Sequence, residues 1–140
     1  IRVHEKSIDR FKNKIRELTR RNRGRSLEYM LQKLRQYTTG WLNYYAIADM
    51  KDFIQQANGW IKRKIRCYIW KQWKRIKTRS ENLQALGIPR SKAWEWANTR
   101  KGHWHISHSW ILSKTLTDKR IIQMGYDDIF IRYNELHSSY

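Results

Sequence analysis

Apolar side chains recur every three or four residues along the first half of the chain, which is the spacing of one face of an α-helix. Three such stripes follow one another, over residues 8–18, 27–45 and 53–76. The residues expected to bound these helices are Ser7, Ser26 and Asp49 at their starts and Gly24 at the end of the first. The pattern therefore predicts three amphipathic helices with short connections, as in a small bundle.

The second half of the chain has a less regular pattern, in which short apolar periods are separated by glycine and proline. Short helices are predicted over residues 81–86, 91–97, 118–124 and 127–136. The residues expected to bound them are Ser80, Ser91, Thr117, Gly87 and Gly125. We therefore predict an all-α fold, a small helical bundle of three longer helices followed by several short helices.

Charge divides the chain at about the same place as the apolar pattern. The 140 residues carry 30 Lys and Arg against 12 Asp and Glu, a formal net charge of +18, and 22 of the cations lie in residues 1–79. Such a surplus is typical of a protein that binds a polyanion, because cations release the counterions condensed on phosphates. No apolar run approaches the roughly 20 residues of a membrane span. We predict a strongly basic bundle over 1–79, a short-helix region over 80–140, and no membrane partner.

Residues 60–79, in the last part of the third predicted helix, carry nine basic side chains and no acidic one. Because the apolar stripe faces the core, we expect these cations on outer faces, where they are either solvated or bind phosphate. Five arginines surround the first turn, and guanidinium groups both grip phosphates and stack on unpaired bases, which suits folded RNA. The predicted RNA-binding residues are Arg16, Arg20, Arg21, Arg23, Arg25, Lys62, Arg63, Lys64, Arg66, Lys71, Lys74, Arg75, Lys77 and Arg79. Trp70 is expected to be an exposed aromatic that stacks on a base.

The segment MGYDDIF, residues 124–130, invites comparison with the Tyr-x-Asp-Asp metal site of polymerases. Here Asp127 and Asp128 follow the tyrosine one residue too early, and their flanks are helical. Carboxylates at the start of a helix favour the positive end of its dipole, so we predict a capping role worth at most about 1 kcal/mol.

The sequence offers no other complete catalytic or metal site. His103, His105 and His108 lie in a segment whose alternation predicts an extended conformation, and no cysteine or acid beside them completes a zinc site. Cys67, the single cysteine, excludes an internal disulfide framework. We therefore expect no catalytic residue, metal or cofactor in this chain.

Residues 80–102 have the pattern helix, Gly-Ile-Pro turn, helix. One interpretation is a helix-turn-helix module for duplex DNA, and the other is a plain helical hairpin held by its leucines and tryptophans. The possible DNA-binding residues are Arg90, Lys92, Arg100 and Lys101. The sequence leaves both interpretations open.

Several motifs resemble group II intron-encoded reverse transcriptases. GWLNYY at residues 40–45 and WIKRKIRCYIWKQWKRIKTR at 60–79 resemble their maturase domain, and VHEKSIDRFKNKIRELT at 3–19 is similar to the entry into the polymerase thumb. GIPRSKAWEWANTRKGHW and SHSWILSKTLTDKRI resemble the segment that follows in bacterial members. The family-motif residues, expected to be mainly structural, are Gly40, Trp41, Asn43, Tyr44 and Tyr45. Gly40 is expected to mark a kink or a close backbone approach.

The resemblance implies that residues 1–79 are the thumb, or maturase domain X, which grips intron RNA and helps the ribozyme to splice itself. In the parent protein this part would also clamp a template–primer duplex, and residues 80–140 would contact target DNA during intron mobility. The polymerase aspartates would lie upstream, in fingers and palm, so we expect this chain to be a non-enzymatic fragment of an RNA-directed DNA polymerase. Mg²⁺ is then expected only for that absent domain and for the ribozyme. The implied compartment is the bacterial cytoplasm, or an organelle matrix for an organellar intron.

Overall fold

The computed structural model describes residues 3–20 and 24–140, and every regular element within these ranges is an α-helix. The helices are α1 (Glu5–Leu18), α2 (Leu27–Tyr45), α3 (Lys51–Gln72), α4 (Ile76–Ala85), α5 (Arg90–Ala97), α6 (His103–Ser107), α7 (Trp110–Thr115), α8 (Asp118–Met124) and α9 (Ile129–His137). The predicted all-α fold, with three longer helices followed by short ones, is confirmed.

The central element of the fold is α3, and half of its 22 residues are buried. It packs against α6, α8 and α9, while α2 packs against both α1 and α9. One hydrophobic cluster extends from Phe11 in α1 to Tyr133 in α9. Apolar side chains from both halves of the sequence therefore share a core. The domain boundary predicted between residues 79 and 80 falls inside α4 and stays a prediction.

The third predicted helix is shorter than its apolar stripe, because α3 ends at Gln72 and Ile76 begins α4. Arg79 folds back over the end of α3, with its guanidinium carbon 4.5 Å from the centroid of the Trp70 ring. The Nε and Nη2 atoms of Arg79 donate to the Trp70 carbonyl at 3.3 and 3.2 Å. These bonds satisfy a carbonyl that the helix end leaves without an amide partner. The prediction of one continuous helix to residue 76 is therefore wrong.

Several predicted helix boundaries are confirmed, including two starts at which a side chain accepts a free backbone amide of the first turn. Ser26 and Thr117 cap α2 and α8, and Gly125 ends α8. The caps that prove wrong are Ser7 and Asp49, whose places are taken by His4 and Met50, and Ser80 and Ser91, which lie inside α4 and α5. The extended segment predicted at His103 is also wrong, because α6 forms there and buries Ile106 against the core.

Two glycines differ sharply in what they require of the backbone. Gly125 has a φ of 124°, which side-chain-bearing residues rarely adopt, and a Cβ there would lie 3.7 Å from Leu31 Cδ1. Gly40 lies inside α2, and a Cβ built on it meets no atom within 4 Å. The close backbone approach considered for Gly40 is therefore not found.

We expect alanine substitutions at these two glycines to change stability in opposite directions. Gly125→Ala should lower the free energy of unfolding by about 1–3 kcal/mol, since the strained φ must be kept. Gly40→Ala should raise it by about 0.5–1 kcal/mol, because glycine is a poor helix former. Urea denaturation of both variants measures the two effects. A stabilised Gly125→Ala would contradict the assigned helix end.

Candidate nucleic-acid interface

A cleft of about 240 Å³ lies between α1 and α3, with cations along its edge and an aromatic wall. Its lining residues are Lys12 and Arg16 from α1 and Phe53, Gln56, Ala57 and Trp60 from α3. The Arg16 guanidinium carbon lies 5.3 Å from the centroid of the Trp60 ring, and Lys64 Nζ lies 5.4 Å from it. Side chains one helical turn apart lie on the same face of a helix, so the lining residues of each helix form a row along the cleft.

A second cleft, of about 270 Å³, continues the same surface toward the end of α1. Its lining residues are Arg16, Thr19, Arg20, Lys64, Cys67, Tyr68 and Lys71. Burial lowers the pKa of Lys64, and the nearby charges of Arg16 and Lys71 lower it further. Among the described residues, no carboxylate lines either cleft. Cations that crowd each other in this way favour an anionic ligand. We call Lys12, Arg16, Arg20, Lys64 and Lys71 the α1–α3 basic face.

Lys62 and Arg66 lie on another face of α3 and are buried. Lys62 Nζ is 3.0 Å from an oxygen of Asp128 and 3.2 Å from one of Asp118. Arg66 contacts Asp118 at 2.8 Å, and its Nε donates to the Leu116 carbonyl at 2.8 Å. The prediction that both cations lie on a solvated face is wrong, because partners from the second half of the chain neutralise them.

Asp128 is the centre of this buried network. Its Oδ1 accepts the amides of Phe130 and Ile131, both at 3.0 Å, as the N-cap of α9. The same oxygen accepts Asn58 Nδ2 at 3.1 Å, and the Tyr126 hydroxyl donates to Asn58 Oδ1 at 2.6 Å. The predicted capping role is confirmed for Asp128, whereas Asp127 does not cap the helix. The Asp128 carboxylate also neutralises a buried lysine, so we expect its contribution to exceed the value of about 1 kcal/mol for a helix-end charge alone. We call Asn58, Lys62, Arg66, Asp118, Tyr126 and Asp128 the α3–α9 network.

Both aspartates of the network are held in the ionised form. Burial opposes ionisation of Asp128, but the Ile131 amide, Asn58 and Lys62 together outweigh it and lower its pKa. Burial likewise opposes ionisation of Asp118, and Arg66 and Lys62 together lower its pKa. The acidic pair of MGYDDIF is thus split, since Asp127 instead contacts Arg132 at 2.6 Å.

The remaining predicted RNA-binding residues differ in how exposed they are to solvent. The exposed ones on and after α3 are Arg63, Lys74, Arg75 and Lys77. Arg25 is exposed beside Tyr29, at 5.3 Å from its ring centroid. Arg79 is half-buried at the end of α3, and Trp70 is fully buried, so the expected exposure of Trp70 is wrong. Arg21 and Arg23 lie outside the described residues.

The possible DNA-binding residues lie on and after the α4–α5 hairpin. Leu83 and Ala93 are buried where the two helices pack, and Gly87 turns the chain with a φ of 100°. Arg90, Lys92, Arg100 and Lys101 are all exposed, and Lys92 contacts Glu95 at 3.2 Å. A helical hairpin is therefore present, and both sequence interpretations are compatible with it.

Comparison with protein families identifies the family of this basic helical chain. The family model "Group II intron, maturase-specific domain" matches residues 8–87, more than half of the chain. This chain belongs to the group II intron maturase family. The matched region of the maturase contains α2, α3, α4 and all five residues of the α1–α3 basic face. A search of curated proteins found no matching sequence.

The family motif of the maturase chain, residues 40–45, divides between packing and exposure. Trp41 is buried, with its ring centroid 4.5 Å from that of Phe11 and 4.5 Å from that of Tyr45. The Tyr45 hydroxyl donates to Ser7 Oγ at 3.1 Å, which ties α2 to α1. Asn43 and Tyr44 are exposed, and Tyr44 retains 76 % of its accessible surface. Two of the motif aromatics therefore hold the bundle together, and the third, Tyr44, lies at the surface with its ring centroid 4.7 Å from that of Tyr45.

The described part of the maturase chain lacks the features of a metal site and of a membrane span. Across residues 3–20 and 24–140, no three side chains of His, Cys, Asp or Glu gather as a metal ligand set would. Partial burial, with the charges of Arg79 and Lys71, lowers the pKa of His103. In the same ranges, no helix combines the length and apolar character needed to cross a bilayer.

Of the six residues that line the first cleft, only Arg16 was predicted as a site residue; the polar and aromatic residues that were missed are Lys12, Gln56 and Trp60. Lys12 precedes Arg16 by one helical turn, and Gln56 and Trp60 precede Lys64 by two turns and one turn. Trp60 was assigned to the apolar stripe of α3, and it is indeed half-buried against the core. Spacing by one or two helical turns from a predicted cation was the signal that could have identified all three.

We expect Asp128→Asn to lower the free energy of unfolding by about 1.5–3 kcal/mol at pH 7, because it removes the buried one of the two carboxylates that contact Lys62 and leaves only the more exposed Asp118. The exposed Asp52, in the first turn of α3, is the control, and Asp52→Asn should cost at most about 1 kcal/mol. Chemical denaturation of the three proteins tests this difference. Equal effects of the two substitutions would contradict the buried ion pair.

The α3–α9 network also predicts how stability depends on pH. Since the pKa of Asp128 is lowered on folding, its contribution is fully present above the ordinary carboxyl pKa of about 3.9 and is lost as the pH falls through the folded value. Thermal unfolding from pH 7 to pH 2 should show a steep acid loss in the wild type. The loss should be smaller in Asp128→Asn, and parallel curves would argue against the assignment.

Proposed function

We propose that this maturase chain binds folded group II intron RNA and thereby promotes splicing of the intron. The observation that carries the proposal is the α1–α3 basic face, which lies inside the family-matched residues and presents four cations from α1 and α3 and a fifth, Arg20, just after α1. Its ligand must be anionic, because the lining of both clefts among the described residues contains no carboxylate to neutralise it.

The physical basis of the proposed activity is the repulsion between RNA strands that a folded ribozyme brings together. Lysine and arginine side chains that replace condensed counterions gain free energy from the ions they release. A protein surface that binds only the folded arrangement of phosphates stabilises that arrangement by mass action. In this proposal the intron RNA and its Mg²⁺ perform the splicing chemistry, and the chain contributes no catalytic group.

The finer assignments follow from the same proposal. The chain would be the RNA-gripping part of an intron-encoded RNA-directed DNA polymerase, downstream of fingers and palm. There it would also support reverse transcription on a template–primer duplex and intron mobility into target DNA. It would act in the bacterial cytoplasm, or in an organelle matrix if the intron is organellar.

A second candidate function is duplex DNA binding through the α4–α5 hairpin, and the observation that favours it is the exposure of four cations there. Arg90, Lys92, Arg100 and Lys101 occupy the start of α5 and the segment after it. Phosphate contacts from such residues would position a DNA duplex without reading its sequence. This candidate predicts that the chain binds duplex DNA more tightly than structured RNA.

Two variants with the same charge change separate these candidates. The face variant replaces Arg16, Arg20, Lys64 and Lys71 by Gln, and the hairpin variant replaces Arg90, Lys92, Arg100 and Lys101 by Gln. Only the face variant should weaken binding to a folded group II intron, and it should flatten the dependence of log K on log salt by about 0.7–0.9 per lost phosphate contact. Filter binding at several salt concentrations measures both quantities.

The ligands in this experiment are a folded group II intron, an unrelated structured RNA and duplex DNA at matched salt. The wild-type chain should bind the intron most tightly and accelerate its splicing at limiting Mg²⁺, and the face variant should lose both effects. An unchanged salt slope in the face variant would refute the assignment of this surface. Tighter binding to duplex DNA that only the hairpin variant loses would instead establish the second candidate.

A further inference from the structure

We infer that the first α1–α3 cleft is a binding site for one unstacked RNA base, with Trp60 as its stacking surface. The inference rests on the proposed function, since it assigns a ligand to part of the same surface. It adds a contact with a base to a surface that was so far assigned only to phosphates. The cleft of about 240 Å³ is smaller than the roughly 300–1,000 Å³ of sites for whole small-molecule ligands. A single planar ring suits this space better than a free nucleotide.

The composition of the cleft fits a base together with its backbone. Phe53 and Ala57 make its floor apolar, and the Trp60 ring forms a wall. Gln56, which is exposed, carries an amide that can both donate to and accept from the edge of a base. Lys12 and Arg16 at the edge can hold the phosphates on either side of the base. An aromatic wall between cations is the usual composition of a surface that binds single-stranded nucleic acid.

Arg16 must move for a base to lie on Trp60, and its contacts permit this. Its guanidinium carbon is 5.3 Å from the ring centroid, which leaves no room for a base between them. The side chain is exposed, and it donates to the exposed Asn13 at 2.9 Å. Both the cation–π contact and this hydrogen bond are weak at a solvated site. A base can therefore replace the guanidinium on the ring, while the guanidinium turns to a phosphate.

Trp60 continues into a second aromatic surface through Lys64. Lys64 Nζ lies 5.4 Å from the Trp60 ring centroid and 5.1 Å from the centroid of Trp104, which is 40 % exposed. A strand that places one base on Trp60 would thus run past a lysine toward another exposed ring. This order of ring, cation and ring favours a single strand or a looped nucleotide over a continuous duplex, whose bases are already stacked.

The test compares a 12-nucleotide RNA strand with an abasic strand of the same length, which keeps the phosphates and lacks the bases. The wild-type chain should bind the RNA strand about tenfold more tightly, as the loss of one base–aromatic stack implies. Trp60→Leu should bind both strands equally, with the salt slope of the wild type. Trp60→Phe should keep part of the preference, because it keeps a ring. Fluorescence anisotropy with labelled strands measures all of these affinities.

Trp110→Leu is the matched control, since Trp110 is 55 % exposed on α7 and packs against Trp96 at 5.8 Å between ring centroids. This variant should keep the full preference of the wild type. A wild-type chain without preference for the RNA strand would overturn the inference independently of any variant. The inference also fails if Trp60→Leu keeps the preference or loses affinity equally for both strands.

These outcomes are distinct from a failure of the proposed function. If the face variant loses intron binding while Trp60→Leu keeps the preference for bases, the base site is wrong and the RNA-binding face stands. If the face variant binds the intron as the wild type does, the proposed function fails together with the inference that rests on it.

Discussion

The fold depends on how α3 places two cations inside the protein without leaving them unpaired. A buried ammonium or guanidinium group costs several kcal/mol unless charge and hydrogen bonds compensate it. Asp118 and Asp128 supply the charge, and Asn58, Tyr126 and the Leu116 carbonyl complete the hydrogen bonds. Asn58 lies on α3 itself, whereas Asp118, Asp128, Tyr126 and Leu116 come from α8 and from the segments before α8 and α9. The α3–α9 network therefore fixes the second half of the chain against the first.

The cations of α3 therefore have two different roles, one inside the protein and one at its surface. Lys62 and Arg66 are directed toward α8 and α9, where carboxylates neutralise them. Lys64 and Lys71 are directed toward α1, where further cations line the clefts instead. Residues at about 100° intervals around a helix reach different surroundings although they are adjacent in sequence. A run of basic residues consequently contains both structural and surface positions, and only tertiary contacts separate them.

The sequence was sufficient for the fold class and for several local features. Helical periodicity identified α1, α2 and most of α3, and Asp128 was identified as a cap because a carboxylate before an apolar helical run is a local signal. The end of α3 was not predictable, because Arg79 returns to the Trp70 carbonyl nine residues earlier. Lys62 and Arg66 were misassigned for a similar reason, since their partners lie more than 50 residues away. The clefts needed the pairing of α1 with α3, which no local pattern encodes.

The unequal exposure of the two aspartates divides the α3–α9 network into parts with different dielectric surroundings. The Asp118 side chain keeps 62 % of its accessible surface, whereas that of Asp128 keeps 7 %. Mobile ions screen charges in solvent within a Debye length of about 8 Å at physiological ionic strength, but they hardly reach a buried pair. Concentrated electrolyte should therefore loosen the attachment of α8 before that of α9.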